Sequence, residues 1–295
     1  MTFVLAHVSD PHIAPLPQVR LSELIGKRAT GFVNWRRKRE AIHRPEVLAR
    51  IVADLKAQAP DHIAVTGDLV NLALPGEYQP ARAWLDALGS PADVTLVPGN
   101  HDAYVRSGVA ASLAHWGDFM RGDEAAAGFP FLRRRGPLAL IGVSTSVPSL
   151  PLMATGRLGA DQLRRLEAVL DDGAREERYR VVLIHHPPSS KPSHYLKRLT
   201  DGLQLRAVLA RHGAELVIHG HNHRRQTVWL EGPSGRIPAI GVPSASEAPP
   251  GEHDPAGYNL YRIEGGRGAW RCEVITRGIA RDRVVELDRT VLTGR

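Results

Sequence analysis

Short apolar runs alternate along the chain with amphipathic stretches, and most of the runs end in polar residues. The first run, Phe3-Val4-Leu5-Ala6, leads into Val8-Ser9-Asp10-Pro11-His12. Behind Pro45, which suits a first helical position, Val47, Leu48, Ile51, Val52 and Leu55 recur at helical spacing. Ile63-Ala64-Val65-Thr66 predicts a buried strand that ends in Gly67-Asp68-Leu69-Val70-Asn71. Trp84, Leu85 and Leu88 mark a helix over 78–88, and Val94-Thr95-Leu96-Val97 runs into Pro98-Gly99-Asn100-His101-Asp102. Strand, helix, strand, helix, strand is the signature of parallel βαβ units, whose ligands collect beyond the carboxyl ends of the strands.

The second half repeats the pattern. Leu138 to Val143 predicts a buried strand, and Leu163, Leu166, Val169 and Leu170 an amphipathic helix. Val181-Val182-Leu183-Ile184 ends in His185-His186-Pro187-Pro188. A helix through Leu203, Leu205, Val208 and Leu209 precedes Leu216-Val217-Ile218, which ends in His219-Gly220-His221-Asn222-His223. A further helix is expected around 108–120, and Arg133-Arg134-Arg135 reads as a solvated run or a basic hairpin edge. The short strands at 227–230, 238–242, 258–263 and 271–275 are expected as antiparallel additions to the second sheet. The simplest organisation is one domain over 1–295, with an insertion at about 15–44 and a β-rich portion at about 225–295.

That insertion fits no clean period. It mixes Leu21, Leu24, Ile25, Phe32, Val33 and Trp35 with Lys27, Arg28, Arg36, Arg37, Lys38 and Arg39. Such a mixture suits a substrate-side loop packed on its own domain, or a contact of residues 20–39 with an anionic membrane. The formal charge of +7 suits an anionic substrate, an acidic membrane surface or nucleic acid, and is also common in arginine-rich chains without such partners. No aromatic-studded channel for nucleic acid is readable. The single cysteine, Cys272, excludes an internal disulfide and a cysteine-rich zinc site. No run approaches the roughly 18 apolar residues of a membrane span, and no signal peptide is recognisable, so a cytoplasmic protein is expected, with a peripheral position at the inner membrane face as the alternative.

The polar strand ends supply Asp10, His12, Asp68, Asn100, His185, His221 and His223 as candidate metal ligands. Imidazole, carboxylate and amide together suit manganese, iron or zinc rather than an all-oxygen ion. The set is too large for one ion with an open position, and two ions sharing a carboxylate fit better.

In this order the blocks Asp10-x-His12, Gly67-Asp68, Gly99-Asn100-His101-Asp102, His185-x-Pro187 and Gly220-His221-x-His223 resemble the calcineurin-like metallophosphoesterase superfamily. The resemblance implies a four-layer αββα sandwich, two mixed β-sheets flanked by helices, with a dinuclear site at the strand ends. It implies that Asp10, His12 and His223 hold one ion, Asn100, His185 and His221 the other, and that Asp68 bridges. It further implies attack on phosphorus by a hydroxide shared between the ions, with His101 assisting the leaving oxygen. Asp102 would orient His101 or cap the turn, while His7, His186 and His219 read as structural.

Departures narrow the branch. After Gly67-Asp68 there is no Asp-Arg-Gly continuation of the serine/threonine phosphatases, Asn71 stands where purple acid phosphatases carry a tyrosine, and UDP-diacylglucosamine pyrophosphatases typically carry Arg at the place of His101. Val8-Ser9-Asp10-Pro11-His12, His185-His186-Pro187-Pro188 and Tyr258-Asn259-Leu260-Tyr261 resemble the bacterial cyclic-nucleotide and glycerophosphodiester phosphodiesterases. A phosphodiesterase acting on a small phosphoester is therefore expected. The alternatives are a lipid-linked diester or pyrophosphate hydrolase at a membrane surface and a non-catalytic scaffold.

Overall fold

The computed structural model describes residues 2–124, 128–189, 192–249 and 253–292. In chain order the elements that position the site are β1 (Phe3–Val8), α1 (Lys27–Asn34), α2 (Glu40–Ile42), α3 (Pro45–Ala57), β2 (His62–Val65), α4 (Tyr78–Leu88), β3 (Val94–Leu96) and α5 (Arg106–Trp116). The second half contributes β4 (Phe131–Arg135), β5 (Leu138–Gly142), α6 (Ala160–Arg175), β6 (Tyr179–Leu183), α7 (Gly202–His212) and β7 (Leu216–His219). It closes with β8 (Gln226–Gly232), β9 (Gly235–Gly241), β10 (Gly257–Glu264), β11 (Arg271–Ala280) and β12 (Arg283–Leu292).

Two 6-stranded sheets result, in the orders β12-β11-β10-β1-β2-β3 and β4-β5-β6-β7-β9-β8. Neighbours β1-β2-β3 and β5-β6-β7-β9 are parallel, and the outer strands antiparallel. The fold is the expected four-layer αββα sandwich.

Strands buried on both faces explain the unbroken apolar runs of the second half. Leu138, Leu140, Val181, Leu183, Leu216 and Ile218 join β1 and β2 in one core between the sheets. Their sequence neighbours Ile141, Val182, Ile184 and Val217 pack instead with Leu166 and Leu170 of α6 and Leu205 and Leu209 of α7. Each such side chain removed from water contributes roughly 1.5–3 kcal/mol before ordering costs are counted.

Two expectations need correction, and one pair of alternatives is resolved. The strands β10, β11 and β12 do not extend the second sheet; β10 pairs antiparallel with β1, Phe3 opposite Ile263, and so covers an otherwise open edge of the first sheet. Within the second sheet, β9 lies parallel to β7 and only β8 is antiparallel to it. The Arg133 run is the basic hairpin edge and not a freely solvated run: β4 is an edge strand paired antiparallel with β5, and Arg133 is buried, donating to the carbonyls of Arg121, Pro91, Val94 and Asp118 and to Thr95 Oγ1. A guanidinium surrounded by carbonyl and hydroxyl oxygens is satisfied without a carboxylate.

The insertion is helical. α1 continues through a wide π-type turn, Trp35–Arg39, into α2, and its end is tied to the loop after β9 where His43 bridges Glu247.

Candidate metal centre

The loops after β1 and β2 run side by side, with Asp10 N–H donating to Gly67 O at 3.0 Å and His12 N–H to Asp68 O at 3.1 Å. Extended backbone is expected at Asp10 and His12, but both lie just past β1 in left-handed conformation, φ 51° and 38°. Asp68, His221 and His223 share that conformation, at φ 56°, 69° and 50°. Left-handed backbone is costly for residues with a Cβ, and its concentration here marks a site held against strain by its surroundings. Glycine next to these residues has a steric reason. A Cβ on Gly220 would strike Ser9 Oγ and Asp10 Oδ2, so that only glycine lets the loop after β7 approach the loop after β1.

Two groups of side chains face one another. In the first, His223 Nε2 lies 3.2 Å from Asp10 Oδ1 and 3.3 Å from His12 Nε2. In the second, His185 Nε2 lies 3.3 Å from Asp68 Oδ2 and 3.2 Å from Asn100 Oδ1. Asp68 Oδ2 also stands 3.9 Å from His12 Nε2, which joins the two groups. His221 donates its backbone N–H to Asp10 Oδ2 at 3.0 Å and belongs to the second group with Asp68 and His185. All the residues expected as ligands are thus brought together.

The hydrogen bonds fix which nitrogens point inward. His12 Nδ1 faces Val70 O at 3.3 Å, His185 Nδ1 faces Thr66 O at 2.6 Å, and His223 Nδ1 faces Glu247 Oε2 at 3.1 Å. Each Nδ1–H is therefore engaged, and each Nε2 is turned inward. His221 Nε2 is taken by Lys197 O at 2.8 Å, leaving Nδ1. The inward nitrogens lie 3.2–3.3 Å from one another and from Asn100 Oδ1, a cluster in which a metal cation can take the place of the shared protons. This donor set fits two metal ions. The electrostatics agree: burial opposes charge on His185, yet the Asp68 and Asp10 carboxylates raise it to about 9, and burial is likewise outweighed at Asp68, where His185 and His101 hold the carboxyl well below the usual range. The pocket favours positive charge.

His101 donates its Nδ1–H to Asn71 O at 2.5 Å, and the Tyr104 ring stacks on it at 5.4 Å between centroids and 17° between planes. Burial, and then the neighbouring Arg39, push this imidazole down to about 3. The carboxylate expected to orient it does not reach it. Both oxygens of Asp102 accept backbone N–H groups, from Asp68 and Gly99 on one side and Leu69 and Val70 on the other. Asp102 caps the turn, and the Asn71 carbonyl orients His101.

The structural histidines are as expected. His186 is held through Nδ1 by Thr145 Oγ1 at 2.7 Å and through Nε2 by Ala154 O at 3.1 Å, His7 meets Thr66 Oγ1 at 2.9 Å, and His219 is buried against Gly220 O. Residues not expected at the metal centre complete the site. Glu247 holds both His223 and His253, His43 packs on His12 at 4.5 Å between ring centroids, and Arg39 reaches His12 and His101. The sequence did carry a signal for the insertion: Lys27, Gly31, Trp35, Arg39 and His43 recur at every fourth position, and Lys27, Trp35 and His43 are buried.

The calcineurin-like phosphoesterase family model matches residues 3–225. A probable cyclic nucleotide phosphodiesterase of Synechococcus sp. is 26% identical over 277 residues, covering 93% of this chain and 92% of that protein. The glycerophosphodiester phosphodiesterase GpdQ of Enterobacter lignolyticus is 28% identical over 250 residues, covering 80% and 77%. Among solved structures, a dimetal phosphatase from Danio rerio superposes with a TM-score of 0.61 at 15% identity, covering 96% of this chain and 98% of that one. A purple acid phosphatase from yellow lupin gives 0.65 at 13%, covering 99% and 53%. These structures share the fold. With the matched model spanning both ligand groups, the chain belongs to the calcineurin-like phosphoesterase family and is a metal-dependent phosphoester hydrolase.

Proposed function

We propose that this chain hydrolyses phosphodiesters at a two-ion centre. Asp10, His12 and His223 hold one ion, Asn100, His185 and His221 hold the other, and Asp68 serves both. One observation carries this reading: a single oxygen, Asp68 Oδ2, faces His12 Nε2 at 3.9 Å and His185 Nε2 at 3.3 Å, one from each group. Nitrogen and oxygen donors without thiolate suit manganese, iron or zinc. When bound, two such ions supply Lewis-acid polarisation of phosphoryl oxygens and acidify a water toward neutrality.

The chain's own residues orient the reaction. Asn71 O holds the His101 Nδ1–H and Tyr104 supports the ring, so Nε2 is the atom that faces the leaving oxygen and must take up a proton before it can deliver one there. Asp102 ties the loop after β2, which carries Asp68, to the loop after β3, which carries Asn100. The names of the relatives favour a diester of cyclic-nucleotide or glycerophosphodiester type, and the whole of 1–295 is proposed to work as one cytoplasmic domain.

The test is a turnover panel on protein loaded in turn with manganese, zinc and iron. Bis(aryl) phosphate should be cleaved well above aryl phosphate, with two ions per chain by elemental analysis, and Asp68→Ala should abolish both. Cleavage of monoesters alone, with aryl and cyclic diesters untouched, overturns the reading.

A second reading, contact with an anionic membrane through residues 20–39, is favoured by the outward projection of Leu21 and Ile25, 89% and 74% exposed, on a segment that also presents Arg36 and Arg37 to solvent. The substrate would then be an amphiphilic phosphoester.

A further inference from the structure

Arg39 is the one residue of the insertion whose charge is directed into the metal centre among the hydrogen bonds of the described residues. It ends the wide turn after α1, with buried Trp35 one turn before it and His43 N–H donating back to its carbonyl at 2.9 Å. The turn therefore has fixed ends, and the half-buried guanidinium has a defined place. Its Nη2 lies 2.7 Å from His12 Nε2 and its Nη1 2.9 Å from His101 Nε2. Both imidazoles spend their Nδ1–H on carbonyls, so both present lone pairs to the guanidinium.

What the guanidinium lacks is an anion. Among the described residues no carboxylate lies within 4.0 Å of it, and Asp68, Asp10 and Glu247 act on it only through space. Other buried or half-buried arginines are served differently: Arg133 by carbonyls, Arg180 by Glu215 at 2.8 Å. A guanidinium has five N–H donors in a planar fork that matches the oxygens of a phosphate. Arg39 commits its contacts to imidazole nitrogens, one of them on a residue expected to ligate an ion. A cation left in that state beside a phosphoester-hydrolysing site is built for an anion from outside.

We infer that Arg39 is a phosphate-binding residue of this site, supplied by the insertion and placed between His12 and His101 to take a nonbridging oxygen of the substrate. This rests on the phosphodiesterase reading. It gives the 15–44 segment a part in substrate recognition and leaves His101 Nε2 beside the bound phosphate. Arg39 thereby becomes a specificity element in a position that none of the ligand blocks contains.

The experiment uses the full chain loaded with manganese and inorganic phosphate as the probe. Phosphate affinity is measured by calorimetry, alongside KM and kcat for bis(aryl) phosphate, ion content and thermal unfolding. Arg39→Ala should weaken phosphate binding by about tenfold to a hundredfold, the loss of a charge-assisted pair, and raise KM more than it lowers kcat. Two ions per chain should remain. Arg39→Gln, which keeps a donor toward His101 without the charge, should resemble Arg39→Ala, and Arg39→Lys should recover part of the affinity. Unchanged phosphate affinity in Arg39→Ala and Arg39→Gln overturns the inference, as does loss of the ions from both variants, which would make Arg39 a prop of the metal ligands. If the wild type itself, with two ions bound, neither binds phosphate nor cleaves diesters, the functional reading fails first and takes this inference with it.

Discussion

Glu247 shows how a residue without a motif can govern one that has it. Its carboxylate receives His223 at 3.1 Å and His253 at 3.2 Å, and although burial works against the charge, these two imidazoles hold it down to about 2. A carboxylate behind a ligating histidine fixes the ring, selects the tautomer and raises the donor strength of the inward nitrogen. Glu247→Gln keeps the shape and removes the charge, and the expected outcome is metal binding weakened by about 10- to 100-fold, read by titration with manganese under competition from a chelator. Unchanged affinity would leave Glu247 as packing only. At this scale the legible part was the ligands themselves, because ion binding restricts residue type and these residues follow apolar runs. Glu247 was not legible, because its side chain acts through position alone, and for Arg39 and His43 only the four-residue spacing of the insertion was available, which gives a face and not a partner. The left-handed backbone at Asp10 and His12 was also hidden, since an apolar run that reads as a strand does not show where its extended backbone stops.

Among the elements, the tie between α3 and the returning strands is the clearest case of a contact that periodicity cannot show. Asp54 on α3 receives Arg277 of β11 at 2.7 Å and 2.8 Å and Tyr258 of β10 at 2.6 Å. These bonds fasten the outer helix to the strands that cover the edge of β1. Partial burial works to raise the Asp54 carboxyl, but the Arg277 and Tyr258 hydrogen bonds prevail and lower it from the usual carboxylate value. A carboxyl held lower in the folded than in the unfolded chain adds stability above its unfolded pKa. That stability is lost as pH falls through the folded value. Asp54→Asn should therefore cost about 1 kcal/mol near pH 7 after solvent screening, and the gap to the wild-type melting temperature should begin to narrow only as pH falls past about 4 and close below the folded value. A gap independent of pH would assign the cost to packing. The sequence announced β10 and β11 as strands through β-branched and aromatic residues, yet it assigned them to the wrong sheet. The strand that β10 pairs with, β1, lies more than two hundred residues upstream, β11 follows β10, and strand propensity carries no address.

For the molecule as a whole, the insertion determines what surrounds the metal centre. Its inner stripe of Lys27, Trp35, Arg39 and His43 packs toward the site, and Lys27 Nζ binds Ser149 Oγ at 2.7 Å and Met153 O at 3.0 Å in the loop of the second half. Leu21 and Ile25 of the insertion are exposed, and so are Leu150 and Leu152, 71% and 84%, in the loop that Lys27 binds. Leu196, whose carbonyl accepts from Ala154 N–H at 2.8 Å, is exposed as well. On the membrane reading proposed above, these apolar side chains and the exposed Arg36 and Arg37, on a chain of charge +7, would meet an anionic lipid surface. Each cation near such a surface adds about 1 kcal/mol, an attraction that salt screens. The chain is therefore expected to co-sediment with phosphatidylglycerol vesicles at low salt, weakly with phosphatidylcholine, and to be released at high salt. Leu21→Asp with Ile25→Asp should reduce binding severalfold while turnover of soluble bis(aryl) phosphate stays at the wild-type rate, because neither residue touches the metal ligands. If the wild type remains in the supernatant at every phosphatidylglycerol content, these side chains are not a lipid contact, and the substrate is to be sought among soluble diesters at the same centre.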